Sequence, residues 1–412
     1  MNFDSSGFTV RMFFTAEDTK STKFGALSIW NLRVLRALRG KQTEPNVAHN
    51  LHKNQKNVIF RRWLVSAIAC LIVTGSARVV AEAAEVAKGT TLDAIVQGAK
   101  REGKLSWSTN LEEHEVREMH KVFQQEYPFI KINYKRIMGG EQRQRILSEM
   151  QAGLFPYDLM SIEDEALDEF EKLNFMIDPV AWQKIFGMDA RMVHPKGYGV
   201  SVGNNPAGIY YNKKAVPKDR VPKTWADCSN PYFMNKLSVD VRPTHMVSVM
   251  YGYGQEWTLD YAKKLLANKP KWFRGNSLAV TMVASGEVIL SCPASHGSWY
   301  RASLGKPDYP VGFVFPEGPI VASREILLSP MKGGANPNAA VLMTGWVASK
   351  GVKYLRTGRD SLFHPESELG AQIKKMGRQL KVADWDTATR TEELMDKILQ
   401  VWGFPKPERK GG

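Results

Sequence analysis

This 412-residue chain has few cysteines and lacks several short motifs that mark common enzyme sites. Its three cysteines contain no Cys-x-x-Cys pair, so no redox or zinc motif of that spacing is present. A phosphate-loop Gly-Lys-Ser/Thr sequence and a His-Glu-x-x-His helix are also absent. The sequence therefore does not predict an enzyme.

Strong charge of one sign is lacking once the first 83 residues are set aside. The chain has 56 basic and 42 acidic residues, of which residues 1–83 hold 12 and 5. The net charge of residues 84–412 is therefore +7, which does not predict nucleic-acid binding and mildly favours an anionic small ligand. This part has no long apolar run and is long enough for two lobes, so a soluble two-lobed product is expected.

An export signal is predicted at an unusual position, over residues 58–83. Phe60 to Trp63 supplies two positive charges, and Leu64 to Ala77 is uncharged and mostly apolar. Ala81-Glu82-Ala83 is a small-x-small cleavage site. The apolar part is short for a permanent membrane span. We therefore expect cleavage near Ala83 and a mature protein that acts outside the cytoplasm, which the family resemblance given below places in the periplasm.

Residues 1–57 do not look like a domain, because they are polar and basic with little periodicity. Arg33, Arg36 and Arg39 would form one basic stripe on a short helix. Such a stripe fits a nucleic-acid or membrane-surface patch, or simply a solvated stretch. Three arginines are weak evidence for a nucleic-acid or membrane-surface patch. We therefore expect residues 1–57 to be a non-native or disordered extension, with the biological start near Val58.

The cysteines support different hypotheses. Cys70 lies in the apolar part of the predicted signal, where a lipoprotein would carry its acylated cysteine, but Ala67 stands where leucine is usual. Cys228 and Cys292 lie in the mature chain. They could pair in an oxidising compartment, although their spacing does not decide it.

Apolar periodicity over residues 92–172 alternates between helical and strand-like segments. The predicted helices are 92–102, 112–126, 141–152 and 163–172, and the predicted strands are 104–108, 130–137 and 157–162. Repeated units of this length predict a mostly parallel sheet covered by helices. Ligands on such sheets lie at the carboxyl ends of the strands, here Thr109-Asn110, residues 138–140 and Glu163.

The second half predicts further strands. Residues 199–212 form one that is long enough to pass between lobes, and residues 236–241 and 288–292 form two more. Residues 221–225 open a predicted helix with Thr224 as its cap.

Six segments of residues 90–405 occur in an order that is shared with a known family. They are 121–134 (KVFQQEYPFIKINY), 146–163 (ILSEMQAGLFPYDLMSIE), 208–217 (GIYYNKKAVP), 221–239 (VPKTWADCSNPYFMNKLSV), 275–288 (GNSLAVTMVASGEV) and 337–355 (PNAAVLMTGWVASKGVKYL). This order resembles the extracellular solute-binding proteins of ABC importers, in particular the branch that includes periplasmic ferric-ion-binding proteins.

The resemblance implies an α/β fold of the two-lobed type II periplasmic binding kind, each lobe a mostly parallel sheet with flanking helices and a ligand cleft between the lobes. We expect residues 84–205 and 319–370 in lobe 1, residues 206–318 and 371–405 in lobe 2, and a tail at 406–412. The implied function is transport by a monomer without a cofactor, which passes a small molecule to an ABC permease in the inner membrane.

Ferric-binding members of this branch hold iron with a tyrosine pair, usually a glutamate and often a histidine, because ferric ion prefers hard oxygen ligands. Glu163 matches the family glutamate. Where the tyrosine pair is expected, about ten residues after Gly286-Glu287-Val288, the chain has His296-Gly297. Tyr210-Tyr211 lies in the crossover strand and does not match the pair. The expectation is therefore no metal, with Glu163 as the ligand if iron is bound.

The family cleft instead suggests an organic solute. Residues 242–245 match the family's loop-to-helix turn that receives an anion, and Asn276 matches an amide in the cleft. Trp299 and Tyr300 would supply flat apolar walls, and Glu163 would meet a donor or cation. The predicted ligand-binding set is Asn110, Glu163, Asn205, Arg242, Thr244, His245, Asn276, His296, Trp299 and Tyr300.

Two other functions remain open beside the transport of a small anionic solute. One is a secreted enzyme on a similar two-lobed fold, which turnover of a bound compound would reveal. The other is a sensor subunit for a membrane receptor kinase, which would affect signalling and leave uptake intact. Ferric-iron transport is the alternative cargo, and no nucleic-acid partner is expected. Fold alone does not decide among these.

Overall fold

The computed structural model describes residues 91–137, 140–355 and 361–404, which belong to one compact unit of the chain. The predicted export signal, Cys70 and the preceding extension lie outside these residues, as do Met138-Gly139 and the chain from residue 405. Across the described ranges, no helix is both long enough and apolar enough to cross a bilayer.

Helices and strands alternate through most of the described chain. The helices are α1 (Leu92–Glu102), α2 (Glu113–Glu126), α3 (Gly140–Gln151), α4 (Asp164–Lys172), α5 (Trp182–Phe186), α6 (Thr244–Tyr253), α7 (Gln255–Ala267), α8 (Asn276–Ser285), α9 (His296–Ser303), α10 (Pro337–Trp346), α11 (Glu368–Lys375), α12 (Trp385–Thr389) and α13 (Thr391–Val401). The strands are β1 (Lys104–Thr109), β2 (Lys131–Arg136), β3 (Leu159–Ile162), β4 (Val200–Asn212), β5 (Leu237–Asp240), β6 (Lys271–Phe273), β7 (Leu290–Ser295), β8 (Val311–Val314), β9 (Ile320–Pro330) and β10 (Leu380–Val382).

Local capping signals set the ends of the first helices. The Thr91 hydroxyl accepts a hydrogen bond from the Ala94 N–H at 3.3 Å and caps α1. The helix stops at Gly103, whose φ of 67° is left-handed and suits glycine. Glu112 and Glu115 form a reciprocal capping box at the start of α2. The predicted bounds of both helices are thus confirmed to within one residue.

Three separate parts of the chain build the first sheet. β2, β1 and β3 are parallel neighbours, and β9 then pairs antiparallel with both β3 and β4. β10 joins β9 in parallel at residues 380–382. The sequence-based division placed that segment in lobe 2, because nothing in a three-residue strand indicates its partner.

The long strand β4 carries the chain from the first sheet to the second, which confirms the predicted crossover. Residues 200–206 of β4 pair with β9, and residues 207–212 pair with β7 and β8. The parallel strands β7, β5 and β6 complete the second sheet. The result is the two-lobed α/β architecture of the type II periplasmic binding fold.

Each lobe has its own hydrophobic core. In lobe 1, Trp107, Phe123 and Trp182 are fully buried where α1 and α10 cover the sheet. In lobe 2, the core around Trp225 and Tyr261 includes residues of α6, α7 and α13. Burying one large apolar side chain contributes roughly 1.5–3 kcal/mol, so the buried side chains of each core stabilise their own lobe.

Two features of lobe 2 were left open or mispredicted by sequence. Cys228 and Cys292 form a disulfide inside the core, with Cα atoms 6.5 Å apart. The predicted helix after residue 221 is instead two short 3-10 turns, Ala226–Ser229 and Pro231–Phe233. The Thr224 hydroxyl accepts a hydrogen bond from the Asp227 N–H.

Candidate functional site

A cavity of about 530 Å³ lies between the lobes, where β4 and β9 cross. It lies at the carboxyl ends of parallel strands, the edge at which ligands bind in open α/β sheets. The lobe 1 wall includes Asn110, Glu112, Arg136, Glu163, Asp164, Glu165 and Glu325. The lobe 2 wall includes Arg242, Thr244, His245, Ser248, Arg274, Asn276, Ser298 and Arg301.

Three helices of lobe 2 begin at the cavity. α6, α8 and α9 follow the parallel strands β5, β6 and β7, so their N-terminal ends meet at one edge of the sheet. The starts of α6 and α8 have no side-chain cap, whereas α9 is capped by Ser295 and Asn205. Two helix starts therefore present backbone N–H groups that no side chain caps, and these favour a negative charge.

Three guanidinium groups line the same wall. Asp240 accepts a hydrogen bond from the Arg242 N–H at 2.9 Å and lies 3.5 Å from the Arg242 guanidinium. The same carboxylate accepts a hydrogen bond from the Gly275 N–H at 3.2 Å, so it aligns the Arg242 loop with the start of α8. Arg274 and Arg301 supply the other two positive charges.

Two buried polar side chains of α6 also line the cavity. Ser248 is 1% exposed, and its hydroxyl has no hydrogen-bond partner within the described chain. His245 is 6% exposed, and burial lowers the pKa of its ring although Glu325 and Asp240 act in the opposite direction. The ring is therefore uncharged at neutral pH. Both side chains offer neutral polar groups to a ligand.

The lobe 1 wall is acidic. Glu163 directly precedes α4 and accepts a hydrogen bond from the Asn110 amide at 3.0 Å. The Arg143 guanidinium lies 3.6 Å from both Glu163 and Glu165, which is longer than a hydrogen bond. Burial raises the pKa of Glu163, and repulsion from Glu165 adds to that rise. This wall is thus rich in acceptors.

Asp164 and Arg324 connect that wall to the crossover strand β9. Asp164 accepts a hydrogen bond from the Arg324 N–H at 3.0 Å, yet burial raises the pKa of its carboxyl well above the ordinary value. The Arg324 side chain donates to the carbonyl oxygens of Ala383 and Arg191 and packs on Trp385. A groove of about 750 Å³ lies beside it. The Arg324 guanidinium is therefore engaged by backbone carbonyls of the protein at the edge of this groove.

Seven of the ten predicted ligand-binding residues line the cavity. Asn205 is one of them, but its amide oxygen accepts from the Gly297 N–H and its amide nitrogen donates to the Ser295 hydroxyl. It therefore positions α9 at the crossover. The other six are Asn110, Glu163, Arg242, Thr244, His245 and Asn276.

His296, Trp299 and Tyr300 lie outside the cavity lining. In an aromatic cluster, the His296 ring packs against Trp299, Tyr300 and Phe315, and the Trp299 ring also packs against Phe313. The Trp299 indole donates to the Val311 carbonyl at 3.0 Å. The expected apolar walls are therefore not part of this cavity. Helical spacing is the reason, because it is Ser298 and Arg301, three residues apart on α9, that reach the cavity.

Several lining residues were missed by sequence reasoning. Ser248 lies four residues after Thr244 on one helical face, so helical spacing would have found it. Arg274 directly precedes the helix start at Gly275-Asn276, so its closeness to the predicted site residue Asn276 would have indicated it. Asp164 and Glu165 follow Glu163 in the predicted acidic helix start and could have been found from that position. Glu325 and Arg301 carry no comparable signal, because only the folded chain brings them to the cleft.

The site does not have the composition of the ferric-binding relatives described above. Among the described residues, no group of three or more His, Cys, Asp or Glu side chains is placed to hold a metal ion, and the described lining contains no tyrosine. Tyr210 is buried in the core, its hydroxyl donates to the Ser295 carbonyl, and burial raises its pKa, which disfavours a phenolate ligand.

One motif in the crossover strand looks catalytic by spacing alone. Residues 199–203 (GVSVG) match Gly-x-Ser-x-Gly. Ser201 is buried within β4 rather than exposed at a turn before a helix. The motif therefore lacks the geometry of a nucleophile elbow.

Two α/β lobes with a polar cavity at their crossover define a binding protein of the periplasmic type. The chain belongs to the family of bacterial extracellular solute-binding proteins, whose family model matches residues 86–354. It is accordingly the solute-binding component of an ABC transporter, and its family acts outside the cytoplasm. Members of this family are transport proteins rather than enzymes, as the sequence predicted.

Solved structures share this fold at low sequence identity. Iron-bound HitA from Pseudomonas aeruginosa is 15% identical with a TM-score of 0.60, covering 72% of this chain and 99% of that one. The apo ferric ion-binding protein A from Pasteurella haemolytica is 16% identical with a TM-score of 0.61, covering 74% and 100%. AfuA from Actinobacillus pleuropneumoniae, with fructose-6-phosphate bound, is 17% identical with a TM-score of 0.58, covering 74% and 99%. Comparison with curated proteins gives no match.

Proposed function

We propose that the protein captures a small anionic organic solute in the cleft and delivers it to an ABC permease in the inner membrane. The observation that carries this proposal is the lobe 2 wall. There, the starts of α6 and α8 lack side-chain caps, and Arg242, Arg274 and Arg301 line the same cavity. Backbone N–H groups and guanidinium groups together favour an oxyanion.

Ligand capture uses the crossover strands. An anion that contacts lobe 2 and also reaches lobe 1 binds the closed form more tightly than the open form, and this difference drives closure. Ser248 and His245 fix the orientation of the ligand, because both are buried and polar.

The composition of the cavity favours an organic anion over ferric iron. HitA is described as iron-bound and the Pasteurella protein as a ferric ion-binding protein, so ferric iron is the second candidate cargo. In this chain, iron would depend on Glu163 and its neighbouring carboxylates, with no tyrosine in the described lining. Three guanidinium groups on the opposite wall would repel the cation.

The remaining parts of the proposal come from the sequence. Residues 58–83 direct export, with cleavage near Ala83, and the mature monomer acts in the periplasm. Residues 84–205 with 319–370, and 206–318 with 371–405, are the proposed lobes, apart from β10. The protein needs no cofactor and does not bind nucleic acid.

Thermal melting of the purified protein against a ligand panel tests the proposal. The panel contains ferric ion with phosphate or citrate, carboxylates, phosphonates, sulfonates, thiamine, polyamines and sugars. A ligand at 100 times its Kd adds about 2.7 kcal/mol, which gives a measurable rise in Tm. A rise with an organic anion supports the proposal. A rise with ferric ion, a polyamine or a neutral sugar alone contradicts it.

A further inference from the structure

We infer that the ligand is bipolar, with an oxyanion held by lobe 2 and an ammonium or similar cation held by the acidic wall of lobe 1. This inference rests on the proposed function, which supplies the anionic end. It adds the second end of the ligand and the residues that select it.

The two walls of the cavity carry opposite charge. Arg242, Arg274 and Arg301 belong to lobe 2, whereas Glu163, Asp164, Glu165 and Glu325 belong to lobe 1. At the lobe 1 wall, Arg136 is engaged by Glu112 at 2.7 Å and offers little to the inner carboxylates. A ligand that spans the cleft therefore meets positive groups at one end and negative groups at the other.

Two carboxylates of lobe 1, Glu163 and Glu165, are incompletely compensated by the one arginine beside them. Arg143 is shared between Glu163 and Glu165 at 3.6 Å from each, so it makes a close hydrogen bond with neither. Burial is the main cause that raises the pKa of both Glu163 and Asp164. Repulsion from Glu165 and Glu325 raises the pKa of Glu163 further, and repulsion from Glu325 and Glu163 does the same for Asp164. Mutual repulsion of this kind is relieved by an added cation.

Asn110 provides an independent sign that a donor belongs at this wall. Its side chain is 7% exposed and lines the cavity beside Glu163. The amide nitrogen donates to Glu163, which fixes the orientation of the amide. The amide oxygen then has no hydrogen-bond partner within the described chain. An ammonium group has three donors and no acceptor, which suits a wall made of carboxylate and amide oxygens.

An anion without the cationic end would bind less tightly for a physical reason. Closure of the lobes removes water from Glu163 and its neighbours, and a buried carboxylate without a counter-charge is costly. A ligand ammonium replaces the lost water and neutralises the wall. The ligand class is therefore a short amino-phosphonate, amino-sulfonate, amino-carboxylate or phosphorylated amino alcohol.

Isothermal titration calorimetry with matched pairs tests the inference. The pairs are 2-aminoethylphosphonate with ethylphosphonate, taurine with ethanesulfonate, 4-aminobutyrate with butyrate, and phosphoethanolamine with ethyl phosphate. In at least one pair, the amine-bearing compound is expected to bind about tenfold or more tightly. Equal binding within every pair that binds overturns the bipolar ligand and leaves the anion proposal standing. No binding by any of the eight compounds overturns both.

Substitutions locate the cationic end. Glu163→Gln keeps the shape of the side chain and is expected to reduce the amine preference to about threefold or less, without weakening the amine-free compound. Glu118→Gln, at an exposed position of α2 outside the cavity, is the matched control and should retain the full preference. If Glu163→Gln does not fold, Glu165→Gln serves in its place, because it shares Arg143. A full amine preference in the folded variant overturns the assignment to the lobe 1 wall.

Discussion

Replacement of Arg242 by alanine gives the sharpest test of the anion site. Arg242 lies in the loop between β5 and α6, and its side chain is 37% exposed. Its guanidinium is 3.5 Å from Asp240, and its Nε has no hydrogen-bond partner within the described residues. The group is thus held in place and retains donors for a ligand.

The expected loss of affinity follows from the kind of contact. A hydrogen bond between a guanidinium and an oxyanion contributes about 1.5–3 kcal/mol, so Arg242→Ala should raise Kd roughly 10- to 150-fold. Stability should change little, because a half-exposed ion pair contributes about 0–1 kcal/mol. Asp240 also keeps its hydrogen bonds from the backbone N–H groups of residue 242 and Gly275, which the substitution does not remove.

Calorimetry with the organic anion found in the melting panel measures the change, and Arg145→Ala is the matched control. Arg145 is 81% exposed, pairs with Glu149 on α3, and lies outside the cavity. It should leave Kd within about twofold. An unchanged Kd for Arg242→Ala, or the same loss in Arg145→Ala, would refute the role of Arg242. A large fall in Tm without ligand would show that the guanidinium holds the fold instead.

Three further predictions concern groups around the site. Asp164→Asn should stabilise the ligand-free protein at neutral pH. Burial raises the pKa of the folded-state carboxyl above the ordinary value of 3.8, so the folded protein binds this proton more tightly than the unfolded chain does. The free energy of unfolding of the unsubstituted protein therefore falls as pH rises from about 3.8 towards the folded-state pKa. Urea unfolding at acidic and neutral pH should therefore show that the free energy of unfolding of this variant depends less on pH. A loss of stability at neutral pH would contradict the raised pKa of Asp164. Reduction of the Cys228–Cys292 disulfide, which spans 64 residues, should lower the free energy of unfolding by about 4 kcal/mol, and equal denaturation midpoints with and without reductant would argue against the bond. Trp299→Phe should lower stability by about 1 kcal/mol through loss of the bond to Val311 and leave Kd within about twofold, whereas a tenfold rise in Kd would return Trp299 to the site.

Residues with local signals were predictable from sequence. Glu163 and Asn110 each follow a buried strand, and the carboxyl ends of parallel strands meet at one edge of the sheet. The proximity that allows their hydrogen bond of 3.0 Å could therefore be predicted from the sequence. The turn before α6 was equally local, because a helix start after a strand places Arg242, Thr244 and His245 together. The structure places Trp299 and Tyr300 of α9 outside the cavity lining, because large aromatic residues suit a core as well as a cleft.

Sequence by itself determined the α/β pattern, because periodicity, strand ends and helix starts are local properties. The order of six segments indicated the family by resemblance, and the family model confirms it. Only the tertiary structure decided which groups face each other across the cleft. Glu325 and Asp164 meet at the cavity because β9 returns from a distant part of the chain, and Arg301 rather than Trp299 reaches it because of the rotation of α9. The opposition of an acidic and a basic wall is therefore a product of the crossover between the lobes.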